Sequence, residues 1–369
     1  MLNKKTIIIS AINLREGGPL SILDDCLQYL DRELSKNFQI ITLVHKKELL
    51  TKTENISFIE FPKSIKSYFY RFYYEYFYFK KISKKLKPYL WLSLHDITPN
   101  VTSEIQSVYC HNASPFYKVS IKDLFVDYKF VIFNIFYKYV YKINIKKNNF
   151  LIVQQKWLKK EFERLYNIKN VIVANPTIEI SIPNKLNGGK KRDKLVFFFP
   201  SFPRVFKNFE LICEAVRLIK NSYRDKYEVI LTINGSENRY SQKILKKYSS
   251  INNIKFIGLQ PRSKVFEIYL FADCLIFPSK LETWGLPITE FKAFNKPILV
   301  ADLPYARETV GDYDKVKFFN PNDPRELASY MECLIEGRIK FDVNKSANSV
   351  ELKADSWKEL FDILLLEKS

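Results

Sequence analysis

Twice along its length this chain runs through the same alternation: short apolar runs separated by segments long enough to be helices. In the first half the runs are Lys5–Ala11, Gln39–Val44, Ile56–Phe61, Tyr89–Leu94, Ser107–Cys110, Phe150–Val153 and Val171–Ala174. Helical stretches fall between several of them, notably Leu20–Leu34 and Gln155–Tyr166. In the second half they are Leu195–Phe199, Val229–Ile233, Lys255–Ile257, Asp273–Phe277, Pro297–Val300 and Lys317–Phe319. After Lys207, the residues Phe209, Ile212, Val216 and Ile219 recur at the spacing of a helix packed on a sheet. Strands alternating with helices predict parallel βαβ construction. Between the two halves lie Asn175-Pro176, Pro183-Asn184 and Asn187-Gly188-Gly189, followed by Lys190, Lys191 and Arg192, a breaker-rich linker. Two doubly wound α/β domains follow, spanning 1–180 and 190–350, with ligands expected at the strand C-terminal ends and a cleft between the domains.

Length and composition agree. At 369 residues the chain is too long for one ordinary core. With 47% hydrophobic and 27% charged residues it reads as globular. No apolar run reaches the eighteen or so residues of a membrane span, and Phe130–Phe136 is the longest candidate. The start, Met1 to Ile9, reads as a first strand and not as a signal peptide, because Asn13, Arg15 and Glu16 break the apolar stretch. Five scattered cysteines without a Cys-x-x-Cys pair, and only three histidines, predict reduced cytosolic thiols and no structural zinc.

Charge is uneven within a net +19. Residues 61–90 hold eight Lys or Arg against the single Glu75, together with twelve Phe and Tyr. Residues 121–149 hold six Lys against Asp123 and Asp127. Basic groups mixed with interface-seeking aromatics fit an anionic phospholipid surface. The same mixture suits stacking on single-stranded nucleic acid, or a helix packed into the core. Nothing else in the chain resembles a nucleic-acid module, so no nucleic-acid partner is expected.

The densest functional signal is Glu282-Thr-Trp-Gly-Leu-Pro-Ile-Thr-Glu290. It follows a strand and opens a helix, an arrangement that turns backbone amides toward an anion. Gly285 permits close approach of the backbone, Leu286 follows it, and Pro287 suits the first helical turn. Glu282 and Glu290 bracket the turn as acceptors for hydroxyl groups. A phosphate flanked by polyhydroxylated groups is a nucleotide-sugar. A surface loop with two solvated glutamates is the other reading.

Other loops repeat the theme. Gly17 and Gly18 stand between the first strand and its helix, as a tight turn or as a binding loop, without a Gly-x-Gly-x-x-Gly pattern. His111 sits at a strand end in Tyr-Cys-His-Asn, able to donate to a sugar hydroxyl or to serve the structure. His95-Asp96 is a second candidate of that type, placing an acceptor or only a loop. Arg204 and Lys207 precede a helix, where cations oppose the helix dipole unless an anion is bound. No acidic metal cluster of the Asp-x-Asp kind is evident, so no metal and no cofactor is expected.

The paired glutamates with Gly285, Leu286 and Pro287 between them resemble the signature of the retaining nucleotide-sugar glycosyltransferases of family 4. The resemblance implies the GT-B fold: two Rossmann-like doubly wound domains facing each other across a cleft. It implies that Glu282 contacts the donor sugar, that Glu290 holds the ribose hydroxyls and that His111 touches the sugar near the reacting carbon. Gly17 and Gly18 are similar to the family's Gly-Gly loop, and Lys207-Asn208 to its diphosphate lysine. Asn234-Gly235-Ser236 ends a strand in the corresponding loop, making Gly235 a donor-binding candidate. The family's arginine sits about six positions before the lysine, where this chain has Ser201, and Arg204 is the nearest substitute. The resemblance also implies that the C-terminal helix, within 353–369, packs back on the first domain. It points to bacterial surface-polysaccharide transferases such as those of O-antigen and lipopolysaccharide. The expected enzyme is cytoplasmic and peripheral on the inner face of the membrane, with a lipid-linked oligosaccharide as acceptor. A sugar-nucleotide epimerase on the same fold, and a catalytically inactive nucleotide-sugar-binding protein docked on a membrane, are the alternatives.

Overall fold

A computed structural model describes residues 4–119, 121–175, 193–344 and 352–366, so the predicted linker after Asn175 lies outside the described residues. The chain divides into two units. The first comprises residues 1–116, 133–177 and 349–369; the second comprises 117–132 and 178–348. The sequence places 117–132 in the first domain, but this stretch groups with the second unit. It includes the first part of the helix Ile121–Lys142, which is interrupted at Asp127 (φ −149°, ψ 76°). Phe130 lies 5.5 Å from the Phe206 ring, and Lys243 Nζ donates to the Phe125 carbonyl at 2.9 Å.

The first unit contains β1 (Lys5–Ala11), β2 (Phe38–Val44), β3 (Ile56–Glu60), β4 (Leu90–Ser93), β5 (Ile105–Cys110), β6 (Phe150–Val153) and β7 (Val171–Ala174). The second contains β8 (Leu195–Phe199), β9 (Tyr227–Leu231), β10 (Ile254–Phe256), β11 (Cys274–Phe277), β12 (Ile298–Ala301) and β13 (Val316–Phe319). A final strand, β14 (Lys353–Ala354), returns to the first unit and pairs with β7. Among the described residues every strand pairing is parallel. The apolar runs are therefore strands, as the sequence predicts; only β14 is not anticipated.

Parallel strands are buried on both faces because helices cover both. Successive side chains of β8 show it: Phe198 meets Tyr269 on one face at 5.7 Å, and Phe199 meets Phe209 on the other at 4.8 Å. All three rings of Phe197–Phe199 are fully buried.

Strand order determines where ligands can sit. The second sheet runs β10-β9-β8-β11-β12-β13, and the first runs β14-β7-β6-β5-β4-β1-β2-β3. Each reverses direction once, between β8 and β11 in one and between β1 and β4 in the other. At such a reversal the loops leaving the two central strands turn to opposite faces and open a crevice at the strand C-terminal ends.

The C-terminal helix Trp357–Leu365 belongs to the first unit, where Leu360, Phe361 and Leu364 join its core and Phe361 stacks on Tyr29 at 5.8 Å. Replacing Phe361 with Ala should cost about 3–5 kcal/mol, by lost transfer energy plus the cavity left behind. Urea unfolding followed through the change in stability of the first unit checks this.

Candidate active site

The second unit's reversal point is built from two strapped loops. After β8 the chain makes a short turn, Val205–Lys207, and Asn208 follows in the left-handed region (φ 59°), which asparagine tolerates better than most residues. The Asn208 side-chain amide is buried and donates to the carbonyls of Pro278 (3.2 Å) and Pro321 (2.9 Å). The Lys280 amide donates to the Phe206 carbonyl at 2.7 Å, tying the loop after β11 to the loop after β8. Across this strap Lys207 Nζ meets Glu282 Oε1 at 2.5 Å, with both side chains largely buried. An ammonium and a carboxylate are thus held in one fixed place at the end of β8 and β11.

Glu282 leads to the turn that begins the helix Leu286–Lys292. Gly285 has φ 91°, and a Cβ there would stand 3.2 Å from Ile288 Cδ1 and 3.7 Å from Phe277. Both the conformation and the space call for glycine. Pro287 fills the first turn, and the Ile288 amide closes it on the Gly285 carbonyl at 2.9 Å. Trp284 is held from both ends: its indole donates to Thr289 Oγ1 at 2.9 Å, and its carbonyl accepts from the Thr309 hydroxyl.

Glu290 lies one turn inside this helix and is buried. One of its oxygens pairs with Arg262 at 3.0 Å, and the other accepts from the Tyr269 hydroxyl at 3.1 Å. Burial raises its pKa, opposed by Arg262 and Tyr269. Each carboxylate oxygen carries two lone-pair sites, so these bonds leave room for hydroxyl donors. Arg204 is exposed and lies over the Phe202 ring, 5.1 Å from its centroid. Gly235 has φ 89°, yet the Glu237 carboxylate takes its amide (3.0 Å) and that of Asn234 (2.9 Å). The Gly235 turn thus folds on its own acid group.

In the first unit Gly17 (φ 70°) opens the helix Gly17–Tyr29, which has no side-chain cap; Gly18 follows it in the first turn. His111 follows β5, with its ring 4.4 Å from that of Tyr109. Its backbone amide donates to Asp96 Oδ1 at 2.6 Å, and the next amide, of Asn112, donates to the same oxygen at 2.9 Å. Burial lowers the His111 pKa, with Asp96 and the Leu94 carbonyl pulling the other way. His95 is fully buried, with Nε2 2.9 Å from Ser10 Oγ.

Residues 183–351 match the family model described as glycosyl transferases group 1. The second half of the chain is thus similar to group 1 glycosyl transferases. Over 228 residues it is 21% identical to the O-antigen chain mannosyltransferase RfbU of Salmonella typhimurium, a match covering 61% of this chain and 59% of that relative. The matched stretch thus spans about three-fifths of the curated relative. Among solved structures, the apo form of the lipopolysaccharide outer core galactosyltransferase WaaB superposes with a TM-score of 0.64 over 91% of each chain at 12% identity. Anabaena HepE in complex with UDP-glucose superposes with a TM-score of 0.56 over 90% of each chain at 13% identity. The structural likeness establishes the GT-B fold.

Lys207, Glu282, Gly285, Leu286, Pro287 and Glu290 all fall within the matched residues 183–351, and the structure brings Lys207 and Glu282 into contact. Three residues beside them were missed: Asn208 as the strap, and Arg262 and Tyr269 as the partners of Glu290. Arg262 carried a signal, since it is a cation at the start of the helix Arg262–Phe271, the same electrostatic mismatch that singled out Lys207. Gly285→Ala should cost about 1–2 kcal/mol from the left-handed backbone alone. A fall in melting temperature, together with weaker nucleotide-sugar binding by calorimetry, checks it.

Proposed function

We propose that the protein is a retaining glycosyltransferase that moves a sugar from a nucleoside-diphosphate sugar to a lipid-linked saccharide in surface-polysaccharide synthesis. The observation that carries this reading is the Lys207–Glu282 pair beside the Gly285 turn, at the reversal point of the six-stranded sheet. A departing nucleoside diphosphate gathers negative charge while the sugar becomes oxocarbenium-like. Fixed positive groups aimed at that charge lower the barrier, often by more than any other effect. Lys207 supplies such a charge, the amides at the Gly285 and Leu286 turn add to it, and Arg204 swings from its exposed loop to join them. When the diphosphate arrives, Lys207 turns to it and Glu282 is released to bind a sugar hydroxyl. Glu290, held by Arg262 and Tyr269, takes the ribose; Gly235 shapes the neighbouring turn. In the first unit, Gly17 and Gly18 are suited to phosphate and His111 to a sugar hydroxyl. These positive groups do the work of a metal ion, so the reaction needs none.

The related structure with UDP-glucose supports a nucleotide-sugar donor, and the mannosyltransferase and galactosyltransferase relatives support a saccharide acceptor. Among the described residues no helix is long and apolar enough to cross a membrane. The first unit instead exposes Tyr68, Phe69, Phe72 and Phe77, with Phe136 and Tyr139 on the second half of the helix Ile121–Lys142. Lysines 80, 81, 84 and 85 follow in the same stretch of chain. This composition fits peripheral docking on the anionic inner face of the cytoplasmic membrane, each basic group near the surface contributing about 1 kcal/mol.

Incubation with a panel of UDP-, GDP- and dTDP-sugars, following nucleoside-diphosphate release, tests the reaction. Glu282→Ala and Lys207→Ala should each lower release about a hundredfold or more. Equal release by wild type and Glu282→Ala, or none with any donor and acceptor, would falsify the enzymatic reading. Turnover of the sugar without an acceptor would indicate an epimerase. Flotation with vesicles rich in anionic lipid should carry the protein upward at low salt, and Phe69→Ser with Phe72→Ser should weaken it; a protein that stays at the bottom with every vesicle does not dock this way.

A further inference from the structure

The first unit's own reversal point, between β1 and β4, does not hold an open pair of side chains. It holds a closed polar network. Ser10, at the end of β1, lies 2.9 Å from His95 Nε2, and His95 Nδ1 lies 3.1 Å from Glu75 Oε1. Ser10, His95 and Glu75 are all fully buried. Arg71, one turn before Glu75, donates through Nη2 to the His95 carbonyl at 2.8 Å, with its Nε 4.0 Å from Glu75 Oε1. The Tyr137 hydroxyl bonds the same guanidinium.

Burying such groups is expensive. A charged or polar side chain without full compensation costs several kcal/mol, and an apolar residue of similar volume usually packs there at no loss. Burial pushes the Glu75 carboxyl up to about 8 against the pull of Arg71, and it holds the His95 imidazole well below its usual range. A neutral acid beside a neutral ring lessens the cost without removing it. The network therefore calls for a return other than stability.

That return lies one residue further along. Asp96 follows His95 in the left-handed region (φ 73°), a strained conformation for a residue with a side chain. Its Oδ1 receives the amides of His111 and Asn112, with the Tyr141 hydroxyl 3.3 Å away. Tyr141 also donates to the Asn112 carbonyl at 2.9 Å. Arg71 and Glu75 thus hold His95 by its carbonyl and its ring, His95 sets the Asp96 backbone, and Asp96 sets the loop bearing His111.

We propose that Arg71 and Glu75 are positioning residues for His111: the buried Arg71–Glu75–His95 cluster fixes the Asp96 turn, which aims His111 at the donor sugar. The inference rests on the reading of His111 as a donor-sugar contact. Neither residue touches substrate. Their effect passes through the placement of the imidazole, and misplacement of a catalytic group by about 1 Å lowers turnover on the order of a hundredfold.

Four proteins distinguish the possibilities: Arg71→Met, Arg71→Lys, His111→Ala and the double variant Arg71→Met with His111→Ala, each compared with wild type. The substrate is the nucleotide-sugar that gives the most wild-type release in the panel, with UDP-glucose included. Arg71→Met should lower kcat on the order of ten- to a hundredfold with donor KM nearly unchanged. Arg71→Lys, which still donates to the His95 carbonyl, should recover part of it. In the His111→Ala background the Arg71 change should have no further effect. An equal fold-loss in both backgrounds, or wild-type kcat for Arg71→Met, overturns the inference. If His111→Ala itself keeps wild-type turnover, the reading of His111 fails, and this inference falls with it. A second readout needs no activity. With only three histidines, imidazole NMR signals can be assigned singly, and Arg71→Met or Arg71→Lys should move the signal of His111 while leaving His45 in place. A His111 signal unmoved in a folded variant also overturns the inference.

Discussion

Everything at the candidate donor site depends on one geometric fact, the reversal of strand order between β8 and β11. Two parallel strands lie side by side there, and the segments that leave them must part to reach helices on opposite faces. Parting loops leave backbone groups unpaired where the sheet ends. This chain closes the gap with Asn208, which reaches both Pro278 and Pro321, and with the bond from Lys280 to Phe206. With those loops strapped, Lys207 and Glu282 face each other. Their pairing is a product of the strap more than a source of stability.

The first unit meets the same constraint with a different solution. Its reversal between β1 and β4 is filled by Ser10, His95 and Glu75 instead of being left open to a ligand. Of its candidate residues, Gly17 and Gly18 stand on the segment leaving β1 and His111 on the segment leaving the next strand, β5. One topology therefore yields a charge-bearing cradle in one unit and a packed polar plug in the other, and the difference lies in which side chains the surrounding helices send in.

Much of this was legible in the sequence, for physical reasons. Parallel strands buried on both faces must be apolar throughout, so their positions could be read from the chain. β14 could not, because two residues carry no pattern and its place beside β7 comes from packing alone. The stretch 117–132 was assigned to the first domain because it precedes the linker, but the break at Asp127 lets the helix start with the second unit. Lys207, Glu282, Gly285 and Glu290 were visible as strand-end and helix-start residues. What they bond to was not visible, since Arg262 and Tyr269 arrive at Glu290 from another helix. Gly235 stands out in the sequence as a donor-binding candidate, but nothing there says that its neighbour Glu237 takes its amide. His95 and His111 stand at equivalent strand ends, and nothing local says that Glu75 will seal one of them inside.

The turn at Tyr74–Tyr78 is π-helical, joining the α-helical stretches Tyr68–Tyr73 and Phe79–Leu86. It wedges extra residues into one turn and so sets the phase between what the segment shows outward, its aromatic rings, and what it sends inward, Arg71 and Glu75. Each residue of a helix advances the direction of its side chain by about 100°. Removing or adding a single residue here would rotate the acid out of the core and a ring into it, whereas exchanging one outward ring for another would leave the interior untouched. This stretch is therefore tolerant in letter and intolerant in count, so variation that retunes its outer face has to proceed by substitution and never by insertion or deletion.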